Sequence, residues 1–520
     1  MSERSLRPVL AEPGSQLPEP AQASAEASPA GTVVVGGPMG VDDFVAACAG
    51  AALEVESSVW SAAGAGADAL DSVLDGGAVV YGVTTGYGAA SGRIIDSSAR
   101  QAFQHARGIW LAKVLSMATG LTGASPRLMH AMVDLLNAGY APAVPRTGSL
   151  GASGDLIPSA HAGLVLIGEG KVLTREGIVI EGGAALSAAS ITPVPLGPRD
   201  GLSLVNGTAA TTSLAVHACS AVESLLAASD MLAAAGLEAF GGHPDAFDPA
   251  ITRARPHPGA CRTADRVRAA LAGADPKRMA TRGVHDPYAW RCHPQVNGAA
   301  RDASAWAQGV CVTELASCTD NPLVGQGALV VSGGNFHGAP LGLAMDTLRL
   351  AIAQMASLSR QRTAQLARRL DDLASDPSSR STATSASSTG GPLAGGHQGL
   401  VMVLTTATAS LLALSSLVPA TTQWLPVDSV EDHVPNATLA ALHALEAVDH
   451  ARAVLAAEAV AAAIVLNHDG AAPSSLAGQW LSKLVASLPG DIRLDQPLSA
   501  ILEALAARLA TDPLPQLACA

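Results

Sequence analysis

From Pro340 to Leu370 the chain reads PLGLAMDTLRLAIAQMASLSRQRTAQLARRL. Apolar residues recur at helical spacing throughout it. At about 1.5 Å per residue such a helix spans about 45 Å, a length suited to a bundle rather than to a small α/β unit. The composition points the same way. Of the 520 residues, 48% are hydrophobic but only 3% aromatic, so packing rests on Ala, Leu and Val and favours closely packed helices. Further helices are expected at Ala99–Met117, Leu128–Asn137, Gly298–Thr319, Leu400–Leu417, Ala437–Val465, Ser475–Ala486 and Leu498–Leu509. Short helices are also expected over Asp42–Leu53 and Val55–Leu74, a strand at Ala78–Val83, and a small hairpin from Lys171–Leu173 and Gly177–Ile180. The expected fold is therefore mainly α. Residues 1–34, rich in Pro, Ala, Ser and Glu, read as a flexible arm; residues 35–200 as a mixed N-terminal domain; residues 201–520 as a helical bundle with C-terminal helices.

The formal net charge of −13, without a concentrated basic stretch, argues against a nucleic-acid partner. Seven scattered cysteines form neither a disulfide framework nor a zinc motif, which fits a reducing cytoplasm. The N-terminal stretch lacks an apolar signal segment, and runs such as Thr405–Val418 fall short of about 20 lipid-compatible residues. A soluble protein without a membrane partner is the expectation. The chain also carries no P-loop, dinucleotide fingerprint or consistent metal motif.

Ahead of the bundle lies Gly151-Ala152-Ser153-Gly154-Asp155-Leu156, followed by Pro158. It is too glycine-rich for a helix interior and too polar for a buried strand. A tight turn before a helix accounts for it. So does chemistry by the backbone: glycine permits a hard bend in which the Gly154 nitrogen attacks the Ala152 carbonyl. Loss of that water leaves a five-membered ring, and loss of the Ser153 hydroxyl as a second water leaves an exocyclic methylidene. The product is an electrophile that no ordinary side chain supplies.

Other segments admit two readings each. Tyr81–Gly88 is a glycine-rich loop holding two of the four tyrosines, either a turn or a moving functional loop. His105 stands alone on a helix, where packing or capping is the ordinary role. Asn206, in Leu204-Val205-Asn206-Gly207-Thr208, is a candidate cap for a helix running to about Ala235. Arg255–Gly259 reads as a rigid turn. Asp286 and Pro287 read as N-cap and first residue of a helix that puts Tyr288 and Arg291 on one side. That arginine is either a bidentate fork for a carboxylate or a surface group stacked on a tyrosine. Phe336 is core filler or a pocket residue, and Glu431 belongs to a locally acidic turn.

Taken in order, these motifs resemble the histidine and phenylalanine ammonia-lyase family over roughly residues 40 to 515. The resemblance implies that Ala152-Ser153-Gly154 cyclises into 4-methylidene-imidazol-5-one (MIO). It makes Tyr81 a catalytic base on a mobile loop, and puts Asn206, Tyr288 and Phe336 around the prosthetic group. Arg291 would bind the substrate carboxylate. His105 and Glu431 together point to histidine, since phenylalanine and tyrosine enzymes carry other residues there. A homotetramer with shared active sites is also implied. The reaction would be non-oxidative loss of ammonia, with L-histidine going to urocanate. A 2,3-aminomutase, a lyase acting on phenylalanine, tyrosine or another amino acid, and a non-catalytic helical assembly are the competing readings. This chain departs from the family at Thr84, Tyr87, Gln104 and Ala209. His285 and His293, expected near the pocket, also depart and bear on the substrate, with His285 a candidate substrate contact. The largest departure is Leu411-Leu412-Ala413, where the family carries polar and charged groups.

Overall fold

The computed structural model describes residues 31–75, 99–325, 329–375, 396–416, 419–422, 431–468, 472–488 and 498–517. The first part holds β1 (Thr32–Val35), α1 (Val41–Ala49), β2 (Ala52–Val55), α2 (Ser57–Asp75), α3 (Ala99–Ala118) and α4 (Pro126–Asn137). It continues through β3 (Ala141–Pro142), α5 (Leu156–Leu166), β4 (Lys171–Leu173), β5 (Val179–Glu181), α6 (Gly182–Ala188) and α7 (Asp200–Val205). The bundle comprises α8 (Ala209–Phe240), α9 (Pro249–Ala254), α10 (Pro258–Ala270), α11 (Tyr288–Arg291) and α12 (His293–Leu315). After the hairpin β6 (Leu323–Gly325) and β7 (Leu329–Val331) come α13 (Ala339–Ser375), α14 (Gly396–Ser416), α15 (Ala437–Leu466), α16 (Leu476–Ala486) and α17 (Ser499–Thr511).

The long helix expected from Pro340 is α13, which packs along α15, α12, α8 and α14. α8 and α15 are buried on nearly every face, and alanines do most of that work: Ala215, Ala228, Ala444, Ala451 and Ala456 are wholly buried. Small side chains let helix axes approach closely, which is how a core with few aromatics fills its volume. α8 is long and apolar enough to cross a membrane, but 72% of its apolar window is buried inside the bundle.

Two readings of the first part are corrected. Thr32–Val35, partly inside the stretch read as an arm, forms a strand paired in parallel with Ala52–Val55. Leu53, read as helical, therefore lies in a strand, because α1 already ends at Ala49 with Gly50 at φ +112°. The hairpin of β4 and β5 is present and is joined by β3. The expected strand at Ala78–Val83 lies outside the described residues.

Candidate active site

The loop at Ser153 is where the long helices begin. The Gly338 N–H donates to the Gly151 carbonyl (3.1 Å) and the Asn436 N–H to the Leu150 carbonyl (2.9 Å), one just ahead of α13 and the other just ahead of α15. Gly154 bridges in parallel to Gly207, just ahead of α8, and the Asp155 N–H donates to the Gly207 carbonyl (2.7 Å). Three helix N-termini thus gather around one loop. Their dipoles favour negative charge there.

The bend is sharp. Gly154 holds φ of +85°, and a Cβ on it would meet the Gly207 backbone at 2.3 Å from its oxygen and 2.4 Å from its nitrogen. Only glycine fits. Asp155, wholly buried, pins the loop from below. Its carboxylate accepts from the Ser149 hydroxyl (2.6 Å), the Thr438 hydroxyl (2.8 Å), and both the backbone N–H (2.7 Å) and hydroxyl (2.8 Å) of Thr211. Those donors come from the loop itself, from α8 and from α15.

Above the bend, Asn206 Nδ2 donates to the Ser153 carbonyl at 2.9 Å, and the Ser153 hydroxyl donates to the Glu431 carboxylate. Asn206 was read as a cap for α8. It instead ends α7, and Thr208 precedes α8, because Gly207 at φ +97° turns the chain between them. Asn206 Oδ1 is buried without a hydrogen-bond partner among the described residues. The glycine-only bend and the Asn206 Nδ2 donor on the Ser153 carbonyl, an oxygen that the ring would retain, fit a cyclised Ala152-Ser153-Gly154. Gly151, two residues before Ser153, is joined by its carbonyl to Gly338, two residues after the half-buried Phe336.

Lys113 is a site residue that the sequence reading missed. Its buried ammonium donates to the Ser203 carbonyl (2.9 Å) and the Asn206 carbonyl. Burial pushes its pKa down, while Asp320 and Asp155 act in the opposite sense. A lone lysine in the apolar second half of α3, Ile109–Met117, was the available signal. Glu314, bonded by the Thr208 hydroxyl (2.8 Å), has its carboxyl pushed up by burial.

Of the other expected site residues, His105 packs against the first turns of α8. His105 sits on α3 about two turns before Lys113, its ring 4.7 Å edge-on from His217. Its carbonyl accepts from the Ser213 hydroxyl at 2.7 Å. Burial pushes His105 down to about 3 and His217 to about 4, so both rings are neutral near pH 7. His285 is exposed. Tyr81 lies outside the described residues.

Tyr288 and Arg291 share a side as expected, the guanidinium 4.9 Å from the ring centre. Asp286 does not cap them. Its carboxylate accepts from the His243 N–H (2.6 Å) and pairs with His243 Nδ1 (3.1 Å), and the helix opens only at Tyr288. This turn is remote from Ser153. Trp290 packs against Gly236, near the far end of α8. At about 1.5 Å per residue, that is about 40 Å from the Gly154–Gly207 bridge. His293, two residues after Arg291, is wholly buried, with Asp230 and Arg362 against its ring.

A family model described as aromatic amino acid lyase matches residues 39–487. The chain belongs to the aromatic amino acid lyase family. Among its relatives, the histidine ammonia-lyase of Treponema denticola is 40% identical over 57% of this chain, a match that spans 62% of that relative. The histidine ammonia-lyase of Bacillus cytotoxicus is 32% identical over 86% of this chain and 90% of its own length. Among solved structures, a tyrosine aminomutase from Streptomyces globisporus superposes with a TM-score of 0.81 at 26% identity, covering 92% of this chain and 97% of the other.

Proposed function

We propose that this enzyme removes ammonia non-oxidatively from an α-amino acid, converting L-histidine to urocanate, with an electrophile built from its own Ala152-Ser153-Gly154. The observation that carries the reading is the bend itself. Gly154 is pressed against Gly207 while Asn206 and Glu431 engage Ser153 from two sides. When formed, MIO supplies an electrophilic centre that makes the substrate amine a better leaving group.

The remaining work belongs to side chains. Arg291 offers two parallel donors to the substrate carboxylate and orients it. Tyr81 removes the β-proton, which requires a phenol pKa brought below its ordinary value near 10. Asn206 holds the ring segment, Glu431 accepts from the imidazole N–H or the ammonium, and Tyr288 and Phe336 close the pocket. The three helix N-termini favour negative charge developing on the substrate. With Arg291 and Tyr288 about 40 Å up α8 from Ser153, another copy of the chain must bring them, in keeping with a homotetramer of shared sites. We assign the reaction to the cytoplasm on the scattered cysteines, which form no disulfide framework.

A 2,3-aminomutase is the second reading, favoured by the identity to the tyrosine aminomutase. It would return the amine to the β-carbon. The test is a panel of single amino acids, following ammonia and product mass, alongside the intact mass of wild type and Ser153→Ala. Histidine yielding ammonia and urocanate, with a two-water deficit only in wild type, is the expected result. A β-amino isomer would favour the aminomutase. A full-length mass without water loss would overturn both.

A further inference from the structure

We propose that His293 is a positioning residue that fixes the Arg291 fork by tying its turn to a buried charged layer in the bundle. The proposal rests on the reading of Arg291 as the carboxylate-binding group. α11 is four residues long, a single turn that cannot hold its own orientation. Tyr288, 69% exposed, adds little restraint. Arg291 Nε is buried without a hydrogen-bond partner among the described residues. The direction of the fork must therefore come from the backbone on either side. Upstream, Asp286 is anchored to His243. Within the turn, Trp290 stacks on Phe240 at 5.3 Å.

Downstream comes His293, two residues after Arg291. One imidazole reaches two helices: Nε2 meets Asp230 Oδ1 of α8 at 3.1 Å, and Nδ1 meets the Arg362 guanidinium of α13 at 3.1 Å. Arginine has no acceptor to offer, so Nδ1 must accept and Nε2–H must donate. The tautomer is fixed and the ring is neutral, a state that burial also favours. Arg362 is held in turn by the Glu458 carboxylate of α15 at 2.5 and 2.8 Å. Asp230 also accepts from Arg266 (2.8 Å), Asn297 (2.6 Å) and Arg301 (2.8 Å).

This partner count separates positioning from folding. Without the imidazole, Asp230 keeps two arginines and an asparagine, and Arg362 keeps Glu458. The charges of the layer stay balanced. What is lost is the link between the layer and the backbone that carries Arg291.

His293→Phe keeps the ring shape and removes both hydrogen bonds, whereas His293→Gln retains a donor and an acceptor. The ligands are the amino acid turned over in the panel and its decarboxylated amine, which are histidine and histamine on the reading above. His293→Phe should raise KM for the amino acid about tenfold, leave the inhibition constant of the amine within about twofold, and leave the two-water mass deficit intact. His293→Gln should recover most of the loss. If His293→Phe does not fold, His293→Asn, too short to span both partners, should show the same selective loss. Equal weakening of both ligands, or no change in KM, overturns the proposal. Arg291→Lys is the control. If it weakens the amino acid selectively and His293→Phe does not, the positioning role fails while the function stands; if Arg291→Lys weakens neither ligand, both fail.

Discussion

Replacing Gly207 by alanine tests the bend without touching the three residues that form the ring. Gly207 holds φ of +97°, and a Cβ there would lie 2.7 Å from both the carbonyl oxygen and Oγ1 of Thr319. The hydroxyl can rotate away; the carbonyl cannot. A positive φ costs an alanine about 1–2 kcal/mol. Moving the turn off Thr319 also weakens two contacts, Asp155 N–H to the Gly207 carbonyl and Asn206 Nδ2 to the Ser153 carbonyl. At about 1 kcal/mol each, the total loss is about 3–4 kcal/mol. Denaturant unfolding reads that loss directly. Because Gly154 leans on Gly207, the intact mass should show a lower fraction of protein with the two-water deficit. Activity should fall at least in proportion to that fraction. A variant with complete water loss, wild-type kcat and stability within about 0.5 kcal/mol would refute the idea that the Gly154–Gly207 contact shapes the loop.

Two further outcomes are expected. Asp155→Asn turns a carboxylate with four donors into an amide that faces one of them with an N–H, so stability should drop by about 3 kcal/mol and the two-water deficit should become incomplete; unchanged denaturant curves and mass would contradict this. His217 is held at about 4, below its unfolded value, so the unfolded chain binds the extra proton first and stability falls as pH drops from about 6.5 through 4. That residue alone should cost about 2 kcal/mol between pH 7 and 4.5, and His217→Asn should lessen the slope there, leaving the share of His105, held at about 3 by its own burial; an equally steep profile would remove His217 as the cause.

Long periodic segments were the legible part of the fold. The segment beginning at Pro340 became Ala339–Ser375, and that at Ala437 became Ala437–Leu466. Boundaries set by backbone geometry were not legible: α8 starts after Gly207 because of a left-handed turn that no side-chain pattern announces. The parallel pair β1–β2 is only four residues deep on each side, too short for alternation to stand out. At the site, the loop glycines were readable because a turn is local, whereas the local pattern made Asn206 a cap and did not show its bond to the distant Ser153. Lys113, and the partners of His293, were missed because those contacts are remote in sequence. Each nevertheless left a trace. Lys113, Asp230 and Glu458 are charged residues inside locally apolar stretches of their helices, and His293, Asn297 and Arg301 repeat every four residues on one face of α12.

The alanine-filled interior has a consequence for how this protein can vary. A buried leucine can be trimmed, and the chain then loses stability through a cavity. An alanine has almost nothing to trim. Truncation to glycine costs about 1 kcal/mol through helix propensity, while each added methyl must push two helix axes apart, at about 1–3 kcal/mol. Where Ala228 of α8 or Ala456 of α15 is wholly buried, tolerance is one-sided. Sequence drift in this bundle is bounded from above by volume, and growth at one position demands shrinkage at a neighbour that is already small.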